Sequence, residues 1–423
     1  MKVLVVSNMY PPHYYGGYEL SCRDVVEHWR ERGHRVTVLT TNMRVAGVID
    51  LPGERDRGIR RDLDFYWEDH ALVSPSLWRR LEVERTNQRH LRRALDDVTP
   101  DVVSVWNMGA MSLGLVTTIV EARLPLVLVV CDDWLDYGPA LDAWTRLFAR
   151  RPRTRLLVRR LTGLPTGLPA DLGDRATGCF VSEATRSHAT ARTGLRFTQS
   201  TVVYSGIDPA DFPLGVPEVR EARPWGWRLL SVGRLDPRKG VDTIIRALPL
   251  LPEQATLSVL GRGDSRHLGE LHRLVDELGL ADRVRFDAVQ REELRRHYEE
   301  ADALVFPPTW SEPFGLIPIE AMACGTPVVA TGTGGSAEFL SDCRNSLVFP
   351  PGDAVLLAAA LRRLADDPAL RARLVQGGLA TASELTVDRL AEVLEAWHLA
   401  AADRFRYGPP PDRPPPTLTR TSS

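Results

Sequence analysis

Ser231-Val232-Gly233-Arg234-Leu235-Asp236-Pro237-Arg238-Lys239-Gly240 is the stretch whose reading decides the fold. The run at 228–232 ends in a glycine, a cationic loop follows, and residues 241–248 have helical character. That order is a strand–loop–helix unit. The unit repeats outward. Residues 257–260, 284–286, 303–306 and 328–330 are further short apolar runs, with a helix at 268–278. The first half shows the same rhythm. Residues 3–6 precede Tyr18, Cys22, Val25, Val26 and Trp29, which share one helical face. Gly33 supplies a helix stop, and 36–39, 101–105 and 126–130 are further strands. The alternation predicts an α/β chain with two doubly wound parallel sheets. Ligands of such sheets bind beyond the carboxyl ends of strands, and clefts between domains are favoured sites.

The 423 residues are divided accordingly. Residues 1–207 form the first domain, 208–226 a Pro-rich linker and 227–395 the second domain. Residues 396–407 are the end of a closing helix, and 408–423, with six Pro, are expected to be disordered. Composition narrows the function. A net charge of -2 argues against a general nucleic-acid binder, which needs a basic surplus. Five scattered Cys without a C-x-x-C pair argue against a disulfide framework or a structural zinc, and suit a cytoplasmic compartment. The apolar stretch at 108–130 is broken by Glu121 and Arg123, so no spanning helix is expected. Of the 53 basic residues only Lys2 and Lys239 are Lys and the rest are Arg. GC-rich codons account for such a bias, which makes a lysine inside a strand-end loop worth a reason.

Three strand-end loops of the second half have complementary chemistry. Arg234 and Lys239 offer a forked and a compact cation, suited to phosphate oxygens; the alternative is two solvated surface charges. In Ser311-Glu312-Pro313-Phe314-Gly315-Leu316-Ile317-Pro318-Ile319-Glu320, Pro313 and Gly315 keep Glu312 in a loop. A helix opens near Leu316 with Glu320 one turn inside it. Its free amides suit an anion or a hydroxyl-rich ligand, and two carboxylates accept from sugar hydroxyls. Helix-dipole stabilisation is the plainer reading of Glu320. Thr331-Gly332-Thr333-Gly334-Gly335-Ser336-Ala337-Glu338 adds glycines that let backbone amides approach phosphate.

These segments resemble the family-4 retaining glycosyltransferases of the GT-B fold, two Rossmann-like domains with a cleft between them. Their E-x7-E signature is met by Glu312 and Glu320. The resemblance is most specific in the second half. It implies that Arg234 and Lys239 hold the donor diphosphate. It implies that Glu312, with backbone at Phe314, Gly315 and Leu316, contacts the donor sugar, and that Glu320 holds the ribose. The activity implied is retaining transfer of a hexose-type sugar from a nucleotide-diphosphate donor to a hydroxyl acceptor. A UDP-sugar is the first expectation for the donor and a GDP-sugar the second. The front-face mechanism needs neither a metal nor a cofactor, because the leaving phosphate accepts the proton. Arg234, Lys239, Glu312 and Asp132 are the residues expected to serve catalysis.

The first half is read with the same resemblance in view. Gly16 and Gly17 open a helix after the first strand, where amides face donor phosphate. His13 and Asp133 are candidate acceptor contacts. Cys131-Asp132 stands where many members have His-Asp, so one expected contact with the donor sugar is missing. That departure motivates a rival: a non-catalytic sugar-nucleotide-binding protein on the same fold. Residues 146–160 hold seven Arg with Leu147, Phe148, Leu156, Leu157 and Val158. They read either as a peripheral contact with an anionic membrane or as a solvated excursion whose helical period Pro152 interrupts. Asp62-Leu63-Asp64 matches a three-residue metal motif of the other glycosyltransferase fold and is discounted.

Overall fold

The computed structural model describes residues 1–407 except 69–70, 73–74, 149–151, 170, 173–175, 198 and 217–222. The expected disorder of 408–423 lies outside the described residues. The chain forms two compact units, Met1–Tyr204 with Leu390–Ser423, and Ser205–Arg389.

In the first unit β1 (Lys2–Val6), β2 (Arg35–Thr41) and β3 (Ile59–Leu63) are followed by a small antiparallel pair, β4 (Trp67–Glu68) and β5 (Ala71–Leu72). Then come β6 (Val102–Val105), β7 (Leu126–Val130), β8 (Ala176–Phe180) and β9 (Gln199–Val202). The main sheet is parallel, in the order β3-β2-β1-β6-β7-β8-β9. Its central strands are continuous apolar runs because both faces are covered. The helices are α1 (Gly17–Glu31), α2 (Leu77–Val98), α3 (Gly114–Glu121), α4 (Trp134–Leu141), α5 (Pro152–Thr162) and α6 (Glu183–Thr193). Pro152 opens α5 rather than breaking it. Proline is tolerated at a first helical position, where no N–H is required.

The second unit repeats the plan with β10 (Arg228–Val232), β11 (Thr256–Leu260), β12 (Val284–Asp287), β13 (Ala303–Phe306), β14 (Val328–Ala330) and β15 (Leu347–Val348). The parallel order is β12-β11-β10-β13-β14-β15. The helices here are α7 (Val241–Ala247), α8 (Ser265–Glu277), α9 (Arg291–Glu300), α10 (Leu316–Ala323), α11 (Ala354–Asp366) and α12 (Pro368–Glu384). Leu229, Leu257, Val259, Val305 and Val329 build the core with Ile244, Leu271 and Leu361.

Two boundaries differ from the sequence reading. The described part of 208–226 is not a free linker but a piece of the second unit. Phe212 is buried, Gly215 N–H donates to the Ala323 carbonyl at 2.7 Å, and Arg223 donates to Asp302 at 2.7 Å. The closing helix α13 (Val387–Tyr407) belongs to the first unit from Leu390 onward, not to a second domain ending at 395. Trp29 Nε1–H donates to the Ala391 carbonyl at 3.0 Å, Arg32 and His34 meet Glu395, and the His398 ring lies 4.7 Å from that of Trp29. An apolar helical face signals that it is buried; it does not say against which sheet.

Candidate functional site

In the second unit the strand order reverses between β10 and β13, and the site grows from the loops beyond these two strands. Such switch points are where open α/β sheets bind ligands. The loop after β10 is a short 3₁₀ turn, Pro237–Lys239, capped by Asp236, whose carboxylate accepts from Arg238 N–H at 3.0 Å. The Arg238 guanidinium, 2.8 Å from the same carboxylate, helps hold Asp236 down to about 2. Gly240 then turns into α7 at φ 67°. A Cβ there would lie 2.1 Å from the Pro307 carbonyl oxygen, so only glycine lets the two loops close on each other. Thr309 N–H completes the junction by donating to the Arg238 carbonyl at 2.8 Å.

This junction brings Lys239 to Glu312. Lys239 Nζ lies 2.7 Å from Glu312 Oε2, and Trp310 Nε1–H donates to the same oxygen at 2.9 Å. Arg238 stacks 4.4 Å over the Trp310 ring and Lys239 lies 5.5 Å from its centroid. Glu312 keeps 9% of its side-chain surface and Lys239 19%, so the pair is largely dehydrated yet reachable. Arg234 is exposed beside them and makes no ion pair among the described residues. A small pocket lined by Gly233, Arg234, Lys239, Phe306 and Pro307 lies here.

The Gly-rich segment after β14 supports this loop rather than opening a regular α-helix; Gly334–Glu338 is a 3₁₀ turn. Gly335 N–H is spent on the Glu312 carbonyl at 2.7 Å, and Thr331 Oγ donates to the Pro308 carbonyl at 2.8 Å. Leu316 opens α10 after Gly315 at φ 95°, and Phe314 is buried. Glu320 lies one turn into that helix, as expected, but both of its oxygens are engaged. Arg291 donates to Oε1 at 3.0 Å and Tyr298 to Oε2 at 2.8 Å. Burial and the Glu320 charge hold the Tyr298 phenol well above its ordinary range, so it stays a donor. Arg291 also reaches Asp211 at 3.2 Å and lies 5.0 Å over Phe212. Sequence reasoning missed Trp310, Arg291 and Tyr298. Trp310, two residues from Glu312, is the one a closer reading of the loop would have found.

The first unit gathers its candidates beyond β1, β6 and β7. Gly16 caps α1, with its N–H donating to the Glu19 carboxylate at 3.0 Å. Gly17 is the first residue of α1 and is exposed. His13 is buried and held at both ring nitrogens. Val45 N–H donates to Nδ1 at 3.1 Å, so Nε2–H is the donor to Asp50 at 2.6 Å. Its role here is to brace the loop, which leaves neither nitrogen for an acceptor. Asp132 Oδ2 accepts from Tyr137 at 2.8 Å and Asn107 at 3.1 Å, and Oδ1 from Trp134 N–H at 2.9 Å. Burial nevertheless pushes the Asp132 carboxyl up to about 6. Asp133 is the residue before α4. Burial raises the Cys131 thiol, so it stays protonated beside Asp132. Among the described residues no cluster of three or more His, Cys, Asp or Glu forms a metal site.

Two parallel-sheet units of this build, with a loop site at a switch point, define the GT-B fold. Residues 15–211 match Glycosyltransferase Family 4 and residues 220–380 match Glycosyl transferases group 1. The solved sucrose-phosphate synthase of Thermosynechococcus elongatus superposes with a TM-score of 0.70 at 21% identity, over 94% of this chain and 98% of that one. Anabaena HepE in complex with UDP and glucose gives a TM-score of 0.66 at 22% identity, over 93% and 98%.

The chain thus has the GT-B fold, and its two halves are similar to two families of glycosyltransferases. Among curated relatives, the D-inositol 3-phosphate glycosyltransferase of Thermomonospora curvata is 38% identical over 44% of this chain and 46% of that protein. That of Salinispora arenicola is 36% identical over 50% and 51%. The chain therefore spans about half the length of these two relatives. An uncharacterized glycosyltransferase of Methanocaldococcus jannaschii is 25% identical over 89% and 92%. No helix among the described residues is long and apolar enough to cross a membrane.

Proposed function

We propose that the protein transfers a hexose-type sugar, with retention, from a nucleoside-diphosphate donor to a hydroxyl acceptor. The observation that carries this reading is the Lys239–Glu312 pair, held by Trp310 at the switch point beside an exposed Arg234. In this reading Arg234 and Lys239 take the diphosphate and stabilise the charge that grows on it as the sugar leaves, the electrostatic effect that is often largest in catalysis. Lys239 then exchanges Glu312 for phosphate, and Glu312 accepts from donor-sugar hydroxyls. The amides at Phe314, Gly315 and Leu316 fix the same sugar. Glu320 meets the ribose with its carboxylate aligned by Arg291 and Tyr298. Gly16 and Gly17 add amides for the phosphates, and Asp132 or Asp133 orients the acceptor. The leaving phosphate takes the acceptor proton, and the positive charge needed comes from the two cations rather than a metal. The HepE complex with UDP and glucose supports a UDP-sugar as the first donor to test and a GDP-sugar as the second.

The test is nucleotide release and product anomer by NMR across a panel of UDP- and GDP-sugars. Lys239→Met and Glu312→Ala are each expected to lower kcat/KM by about a hundredfold or more. Full activity in either variant removes that residue from the mechanism. The rival, a protein that binds donor without transferring it, draws on the protonated Cys131 where the family often carries His. Tight donor binding with no turnover over a broad acceptor set would favour it.

A further inference from the structure

The exposed surface of α5 is unusual. A helix on a globular protein turns its leucines inward. Here Val158 alone of the four aliphatic residues turns toward the protein, packing against the small cluster of Trp144, Phe148 and Leu164. Leu156, Leu157 and Leu161 are 75%, 57% and 76% exposed. The same outer face carries Arg153 and Arg160, also exposed, and α5 has no acidic residue. Among the described residues, Arg159 alone of its arginines is neutralised by an acid, through an ion pair to Glu121 on α3.

A second, separate element adds to this face. Leu81 of α2 packs on the same Trp144–Phe148–Leu164 cluster as Val158, so the start of α2 neighbours α5 within the first unit. That start exposes Leu77 and Trp78, at 64% and 81%. Trp78, Arg79, Glu82, Arg85 and Arg89 line an open groove along α2, where Arg79 pairs with Glu82 at 2.9 Å and leaves a surplus of two arginines. A tryptophan and leucines standing in water beside Arg85, Arg89, Arg153 and Arg160, which make no ion pair among the described residues, are costly for a surface that meets only solvent. They match the boundary of an anionic bilayer, where indole and leucine enter the headgroup–acyl region while guanidinium groups meet lipid phosphate.

We propose that α5, with the first turn of α2, docks the protein peripherally on an anionic membrane surface. The occupant is the lipid surface itself. Charge complementarity selects it: an acid-free helix with an apolar outer face has no evident use for a neutral or cationic partner. The proposal does not depend on the donor chemistry of the second unit.

The test is co-sedimentation of the full chain with vesicles of phosphatidylcholine alone and of phosphatidylcholine mixed with phosphatidylglycerol. Binding is expected to the mixed vesicles, weakly or not at all to the neutral ones, and to fall as salt rises. The triple variant Leu156→Ser, Leu157→Ser, Leu161→Ser is expected to weaken binding by at least about tenfold. Arg153→Glu with Arg160→Glu is expected to abolish the preference for anionic lipid. These side chains project into solvent, so circular dichroism and thermal midpoint should stay unchanged, which separates lost docking from lost folding. Absence of wild-type binding to mixed vesicles, or equal binding by the triple variant, overturns the proposal. So does a wild-type dimer by light scattering that the triple variant abolishes while vesicle binding is absent; that result assigns the face to a second copy of the chain.

Discussion

Lys239 is the clearest case of a residue whose chemistry exceeds its sequence signal. Its ammonium reaches one Glu312 oxygen that Trp310 also engages, in a space shared with the Trp310 ring. A compact cation fits this arrangement. A planar guanidinium would have to displace the indole or rotate the carboxylate. Lys239→Arg is therefore expected to retain charge but lose transfer activity, by less than Lys239→Met; wild-type kcat/KM in Lys239→Arg would remove the steric argument. Asp132 makes a prediction of a different kind. Its carboxyl is held at about 6 against an ordinary 3.8, so the folded chain binds this proton more tightly than the unfolded chain. Its contribution to stability is complete below 3.8, declines as pH rises toward 6, and is flat above. The thermal midpoint of wild type relative to Asp132→Asn, scanned across that window, should fall with this sign; a midpoint difference independent of pH contradicts it. Arg234, Lys239, Glu312 and Glu320 were marked as candidates because motif spacing singles them out. Trp310, Arg291, Tyr298, Asn107 and Tyr137 were not, because what makes them matter is where a side chain points after folding.

At the scale of elements, the loops after β10, β13 and β14 form one interlocked assembly. Gly334 sits at φ 59°, and a Cβ there would lie 2.5 Å from the Glu312 carbonyl oxygen. Gly334→Ala is expected to cost about 1–3 kcal/mol of stability by overpacking and backbone strain. The activity loss should be larger than that of a variant of equal stability elsewhere, because the Glu312 loop is what must move. Denaturant midpoints and kcat/KM measured together check this; a fully active, destabilised protein would deny the loop its positioning role. The strands show which elements a sequence reveals. Those at 126–130 and 303–306 were read with their observed limits, since burial on both faces leaves an unbroken apolar run; 228–232 was too, its end marked by Gly233. β3 was missed: it is an edge strand, Ile-Arg-Arg-Asp-Leu, apolar only at its ends. Strands β8 and β9 carry Gly, Thr, Gln and Ser, which blur the same signal.

At the scale of the molecule, the chain enters the second unit after Tyr204 and returns to the first at Leu390. The return is fixed by α13 against α1, with Trp29 fully buried between the Ala391 carbonyl and the His398 ring. Trp29→Ala is expected to destabilise the first unit by about 3–5 kcal/mol. Hydrogen exchange should localise the loss to Met1–Tyr204 and α13, while Ser205–Arg389 keeps its protection; uniform loss would show that the units unfold together. Burial holds His398 down to about 4 from 6.5, so the His398 contribution is full above 6.5 and is lost as pH falls toward 4. Acid should therefore loosen this anchor first. The returning helix also has a consequence for synthesis. A ribosome makes the chain from its amino end, and domains commonly fold in that order. Here the amino-terminal unit lacks a wall of its core until residues 390–407 have left the exit tunnel. The contiguous unit made second has all its parts sooner, so the part of the protein translated first is the part completed last.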